Sequence, residues 1–119
     1  MPYIEMTIDS VRHAMHRDQW LILLKEKCGR RCLPVYVDKV WADAVIKVLM
    51  GDDGLSADEE VKQVMAMGSE AVLVIDMDGD RFKARFVGQG ADIECPVGKG
   101  LAIAAKKKVN ITVEADIEI

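Results

Sequence analysis

The chain has 119 residues, half of them hydrophobic and 30% charged, with a formal net charge of -4. That length builds one domain over residues 1–119 that can bury roughly 65% of the surface its unfolded chain exposes, and the composition is far from that of a disordered segment. The acidic balance argues against a protein whose main task is coating nucleic acid, because such binding needs Lys and Arg to neutralise phosphates, and no apolar run approaches the ~20 residues of a membrane-spanning helix.

The N-terminal MPYIEMTIDS reads as an acidic strand and not as a signal peptide. With three cysteines, an odd number, reduced thiols are the default, so the expected location is the cytoplasm. A first strand is expected from Tyr3 to about Arg12, where Ile4, Met6 and Ile8 alternate with Glu5, Thr7 and Asp9. The apolar phase slips at Val11, which predicts a bulge near Asp9 and Ser10. HAMHRDQ has no periodicity and reads as a connection.

Strand two, Trp20 to Lys27, begins apolar on both faces and ends in alternating charge. Cys28 and Gly29 supply a turn, and strand three returns over Arg31 to Val37 with Leu33, Val35 and Val37 on one face. Pro34 cannot donate a ladder hydrogen bond, so this strand belongs at an edge or a bulge. Cys28 and Cys32 are spaced one residue wider than the usual zinc or thioredoxin-like pair, and they frame a hairpin turn.

A helix is expected after Asp38, a good N-cap, with Trp41, Ala44, Val45, Val48 and Leu49 facing the core and Gly51 ending it. Ser56 and Glu59 have the spacing of a capping box ahead of a second helix that buries Val61, Val64 and Met65 and stops at Gly68. Ala71 to Met77, apolar on both faces and β-branched, reads as a central strand. Asp78-Gly79 is a hairpin signal; the surrounding acidic run lacks the glycine position and closing glutamate of a calcium loop.

Strand five, Arg81 to Val87, alternates Arg81, Lys83 and Arg85 with Phe82, Ala84 and Phe86. Strand six carries Ala91, Ile93 and Cys95 against Asp92 and Glu94. After Pro96 and two glycines, LAIAAKKK reads as a short helix whose lysines complement the carbonyl end of its dipole, and a last strand spans Val109 to Glu114. The expected fold is α+β, two strand-and-helix repeats around one largely antiparallel, barrel-like sheet with helices packed on it.

The combination IEMTIDSVR, LILLKEKCGRRCLPVYV, IDMDGDRFKARF and ECPVGKGLAIAAKKKVNITV resembles the bifunctional nuclease domain family across essentially the whole chain. The match is most specific at Leu24-Lys25-Glu26, Gly29, Arg31, Leu33-Pro34, Ala42 and Ala44. It continues more loosely through Asp78-Gly79, Phe82, Ala84, Pro96, Ala102 and Val109. The resemblance implies a compact two-repeat α+β domain, a homodimer, and nuclease activity on DNA and RNA. Relatives commonly carry Ser-Asp after the proline that opens the last helix and Thr-His at the start of the second. Here those places hold Val97-Gly98 and Ser56-Ala57.

Metal-assisted phosphodiester hydrolysis needs carboxylates that converge on a divalent cation such as magnesium or manganese. Asp9, Asp38, Asp43, Asp52, Asp53, Asp58, Asp76 and Asp80 are the candidates, nearly all at turns or caps, where aspartate has local work to do. His13 and His16, three apart beside Arg12 and Arg17, would share a face of a helical turn and could bind a metal. Arg81, Lys83 and Arg85, joined by Lys106 to Lys108, form the nucleic-acid candidate, since charges two apart on a strand can follow a phosphate backbone. The competing reading is a solvated strand face, or an intersubunit face paired with acidic residues such as Asp92 and Glu94 on the adjacent strand. The alternative function is a noncatalytic homodimeric interaction or regulatory module on the same scaffold.

Overall fold

A computed structural model describes residues 3–14, 19–52, 55, 58–68, 70–79, 81–88 and 90–114. Its elements run β1 (Tyr3–Ala14), β2 (Gln19–Glu26), β3 (Cys32–Val37), α1 (Lys39–Leu49), α2 (Glu59–Met65), β4 (Val72–Asp78), β5 (Arg81–Gly88), β6 (Ala91–Cys95), α3 (Val97–Lys107) and β7 (Asn110–Glu114). All strands join one sheet in the order β3-β2-β1-β7-β4-β5-β6. Every neighbouring pair is antiparallel except β4 and β7, which run parallel. The sheet is therefore mixed and mostly antiparallel, as its hairpins require.

It does not close into the expected barrel. β3 and β6 end the strand order and do not pair with each other. Helices α1 and α3 pack on the inner face, and the volume they occupy keeps the two edges apart. Pro34 sits in edge strand β3, where its missing N–H costs nothing.

Burial follows strand parity. Met6, Ile22, Leu24, Leu33, Val35, Leu73, Ile75, Ala84, Phe86, Ile111 and Val113 all face the helices and are buried. The register of β1 against β2 shifts between Ile8 and Ser10, which is the anticipated bulge. It returns Val11 to the face of Met6 and Ile8, so that all three pack on one core; an unbulged strand would turn Val11 outward. β1 runs two residues further than expected, and His13 pairs with Trp20 inside the ladder.

The helices depart most from expectation. In α1, Ala42, Ala44 and Val45 are buried, while Leu49, expected to face the core, is 54% exposed. Helix α2 starts at Glu59 with Asp58 as its cap, whose Oδ1 accepts the Val61 amide at 2.8 Å. The predicted capping serine, Ser56, lies outside the described residues. Met65, expected inside, is 38% exposed.

Helix α3 begins at Val97, directly after Pro96, so both glycines that were expected to precede it lie inside it. They are there for space. A Cβ on Gly98 would stand 2.7 Å from Cβ and 2.8 Å from Cγ of Trp41, and one on Gly100 would stand 3.1 Å from Cys95 Sγ and 3.2 Å from Leu73 Cδ1. Gly98, Gly100, Leu101, Ala102, Ile103 and Ala104 are consequently all buried. The helix ends at Lys108, a non-glycine residue in left-handed conformation with φ 60.

Gly98→Ala sets two effects against each other. In a free helix interior alanine gains about 1 kcal/mol over glycine, but overpacking a filled contact costs about 1–3 kcal/mol, and the obstacle is the root of the Trp41 side chain, which cannot swing aside. Net destabilisation is expected, read as a lowered urea midpoint. An unchanged or raised midpoint would refute the close crossing of α1 and α3.

Candidate functional site

The sheet's outer face carries the sequence-predicted cations. Lys83 Nζ lies 3.0 Å from Glu94 Oε1, and Arg85 Nη1 lies 2.9 Å from Asp92 Oδ2, with Asp76 Oδ2 3.7 Å from Arg85 Nε. Register explains the pattern: Arg85 stands opposite Glu94, and Val87 opposite Asp92, so that β5 cations and β6 acids share one face. The hydrogen bond that Lys83 donates to Glu94 raises its ammonium above the ordinary range, and the one that Arg85 donates to Asp92 does the same for the guanidinium. Two of the three cations are thus already partnered within the sheet.

Lys106 to Lys108 do not join them, because α3 packs on the inner face. Lys107 Nζ donates to the carbonyls of Met67 at 2.7 Å and Met65 at 3.3 Å. It therefore serves the carbonyl end of α2, where a cation satisfies orphan acceptors.

Of the two histidines only His13 can be placed, and it is not on a helical turn. His16 lies outside the described residues, and His13 is in a strand, its ring stacked on Trp20 with centroids 4.4 Å apart and planes 14° from parallel. The carboxylates are dispersed: Asp9 accepts from Ser10 Oγ at 3.3 Å, Asp58 caps α2, and Asp76 faces Arg85. Asp53 and Asp80 lie outside the described residues. Among the described residues no group of three or more His, Cys, Asp or Glu could hold a metal ion. Also among the described residues, no helix is long and apolar enough to cross a membrane.

Lys99 is a feature that sequence reading passed over, because VGKG looked like a loop. From the first turns of α3 its Nζ reaches Asp58 Oδ2 at 2.7 Å and Glu60 Oε1 at 2.9 Å, with its side chain only 12% exposed. Desolvation works to lower the Lys99 pKa, but the hydrogen bonds and charges of Asp58 and Glu60 outweigh it and leave it raised. The Lys99 hydrogen bond, followed by the Val61 amide, holds the Asp58 carboxyl below its ordinary value. This cluster ties the cap of α2 to α3. Beside it, burial first and the Glu60 charge second push the Cys95 thiol up to about 12. All three cysteines are free, and Cys28 is exposed.

A cleft with aromatic walls lies where α1 and α3 begin. Trp20, Tyr36, Asp38, Lys39, Trp41 and Val97 border this cleft of about 480 Å³. Neither helix start has a side-chain cap, and neither first turn contains an acid. Asp38 was expected to cap α1 with its carboxylate; it occupies the cap position but makes no such bond. Periodicity had assigned Trp41 wholly to the core, whereas the ring is half-buried and reaches the cleft.

Two measurements check this description. Asp58, held low, contributes stability above its ordinary value of 3.8 and loses it as pH falls through the folded value; Lys99, held high, contributes below its ordinary 10.5 and loses it as pH rises through the folded one. Lys99→Met is therefore expected to lower the urea midpoint at pH 7, and the gap to wild type should narrow by pH 3. A gap independent of pH would dismiss the ionic account. With iodoacetamide at pH 8, Cys28 should alkylate in the native protein while Cys95 waits for unfolding, since the thiolate is the reactive form; equal rates by mass spectrometry would contradict the burial of Cys95.

Comparison with protein-family models finds no match for this chain, and comparison with curated proteins finds no significant similarity.

Proposed function

We propose that the chain is a noncatalytic interaction module that works as a homodimer, joined through the outer face of its sheet. One observation carries this reading: no described helix covers the outer face, which displays two apolar patches. Leu21 and Leu23 of β2 stand beside Pro34 and Tyr36 of β3, with Tyr36 53% exposed. Val72 and Val74 of β4 stand beside Val87 of β5. Thr7, Ser10 and Thr112 form a polar strip between the patches.

A second copy turned about an axis that runs parallel to this strip, midway between the two facing sheets, sets each patch on the other patch of its partner. Two sheets stacked in this way lie about 10 Å apart, and the arrangement is isologous, as a two-fold dimer demands. The internal ion pairs of β5 and β6 favour this reading over the nuclease reading implied by the family resemblance, because cations already paired offer a phosphate less.

The same scaffold supports the repeat. β1 to β3 and β4 to β6 are two antiparallel meanders placed in mirrored order on either side of β7. β1 is antiparallel to β7 and β4 parallel to it, so β1 and β4 run in opposite directions, as two copies of one unit related by a two-fold axis normal to the sheet would.

Sedimentation equilibrium at micromolar concentration is expected to give twice the 13.2 kDa chain mass. Leu21→Glu with Leu23→Glu should halve it with the circular dichroism spectrum unchanged, and interfaces of this kind bury roughly 1,200–2,000 Å² in total. A monomeric wild type would end the proposal. DNA and RNA incubated with the protein and magnesium or manganese should stay intact; metal-dependent cutting of both, lost on chelation, would reinstate the nuclease reading.

A further inference from the structure

The cleft at the starts of α1 and α3 shares only Tyr36 with the outer-face patches, and we infer that it binds a small planar aromatic compound carrying a negative charge. Its volume of about 480 Å³ falls within the ~300–1,000 Å³ of small-molecule sites. Both tryptophans of the chain border it. Each has a neighbour that holds it in place. His13 stacks on the Trp20 ring at 4.4 Å, and Gly98 brings the α3 backbone against the root of Trp41. Rings already held in place lose little freedom when a ligand arrives, which is the condition for affinity from a small contact area. Val37, Pro96 and Val97 supply further apolar wall, so a flat ring is the ligand part that these surfaces accommodate by stacking.

Lys39 determines the charge of the other end. It borders the cleft and makes no ion pair with any other described residue. The one carboxylate at the rim, Asp38, is its chain neighbour. The ring of the ligand rests against the tryptophans while its anionic group meets the Lys39 ammonium, with the first-turn amides adding to the same sign of potential.

The two tryptophan indole N–H groups report this site directly. In ¹⁵N-labelled protein they are followed by NMR during titration with adenosine 5′-monophosphate, adenosine and inorganic phosphate, as ring plus anion, ring alone and anion alone. Saturable shifts of both indoles with the monophosphate, weaker binding of adenosine and none with phosphate are expected. Trp20→Leu should weaken the monophosphate about tenfold, the scale of one lost stacking contact. Lys39→Glu puts an acid in a helix first turn, where the dipole favours it, and so preserves the fold; it should weaken the monophosphate and leave adenosine unchanged. Lys39→Gln serves as a second variant with the same expected direction. The inference is overturned if the monophosphate moves neither indole at millimolar concentration, if phosphate alone binds as tightly, or if both Lys39 variants bind the monophosphate like wild type.

Discussion

The fold depends on how near one helix backbone can come to its neighbours. α3 touches α1 through Gly98, reaches β4 and β6 at Gly100 through Leu73 and Cys95, and holds the start of α2 through Lys99. Small residues along its buried side permit all of this at once, because every added methyl group would push one partner away. Glycine lowers helix propensity by about 1 kcal/mol per position, so two glycines in α3's first four positions (Val97–Gly100) make sense only if tertiary packing returns more than that. Closeness here also has a chemical consequence: drawing the two helix starts side by side creates the aromatic cleft that their amides border.

The outer face follows a different logic. A chain of net charge -4 places a run of three cations on one strand, which in isolation resembles a phosphate track. The neighbouring strand answers it with Asp92 and Glu94 in register. Alternation along β5 and β6 thus yields a surface with both signs interleaved, and the uncompensated surface of the sheet is apolar instead, at Leu21, Leu23 and the valines of β4 and β5. Cross-strand pairing converts what would be an electrostatic site into a neutral frame around hydrophobic patches.

Strand content, the bulge, the edge position of β3 and the inward parity of the core were all legible in the sequence, since period-two alternation and proline chemistry act locally. Three features were not. The start of α3 was hidden because glycine reads as a break unless one knows what lies against it, and nothing in VGKG announces Trp41. The barrel was expected because a two-repeat outline does not say which strands end the order; only the placement of β7 between β1 and β4 settles that. The cleft escaped because its residues come from β2, β3, α1 and α3, and each taken alone has an ordinary structural explanation. Lys99 shows the same limit in a single residue: its partners are about forty positions away.

The parallel pairing of β7 with β4 has a temporal consequence. β7 is the last described strand in the chain, and it is the only one that bonds to both meanders. A nascent chain that has emerged through α3 can already form β1 to β3 and β4 to β6, yet β1 and β4 each still present an open edge of unpaired amides and carbonyls. Such edges recruit other strands, and domains of growing chains are vulnerable while incomplete. Docking of residues 110–114 therefore acts as the closing stitch, and a chain in which β7 has not yet docked is in its most adhesive form.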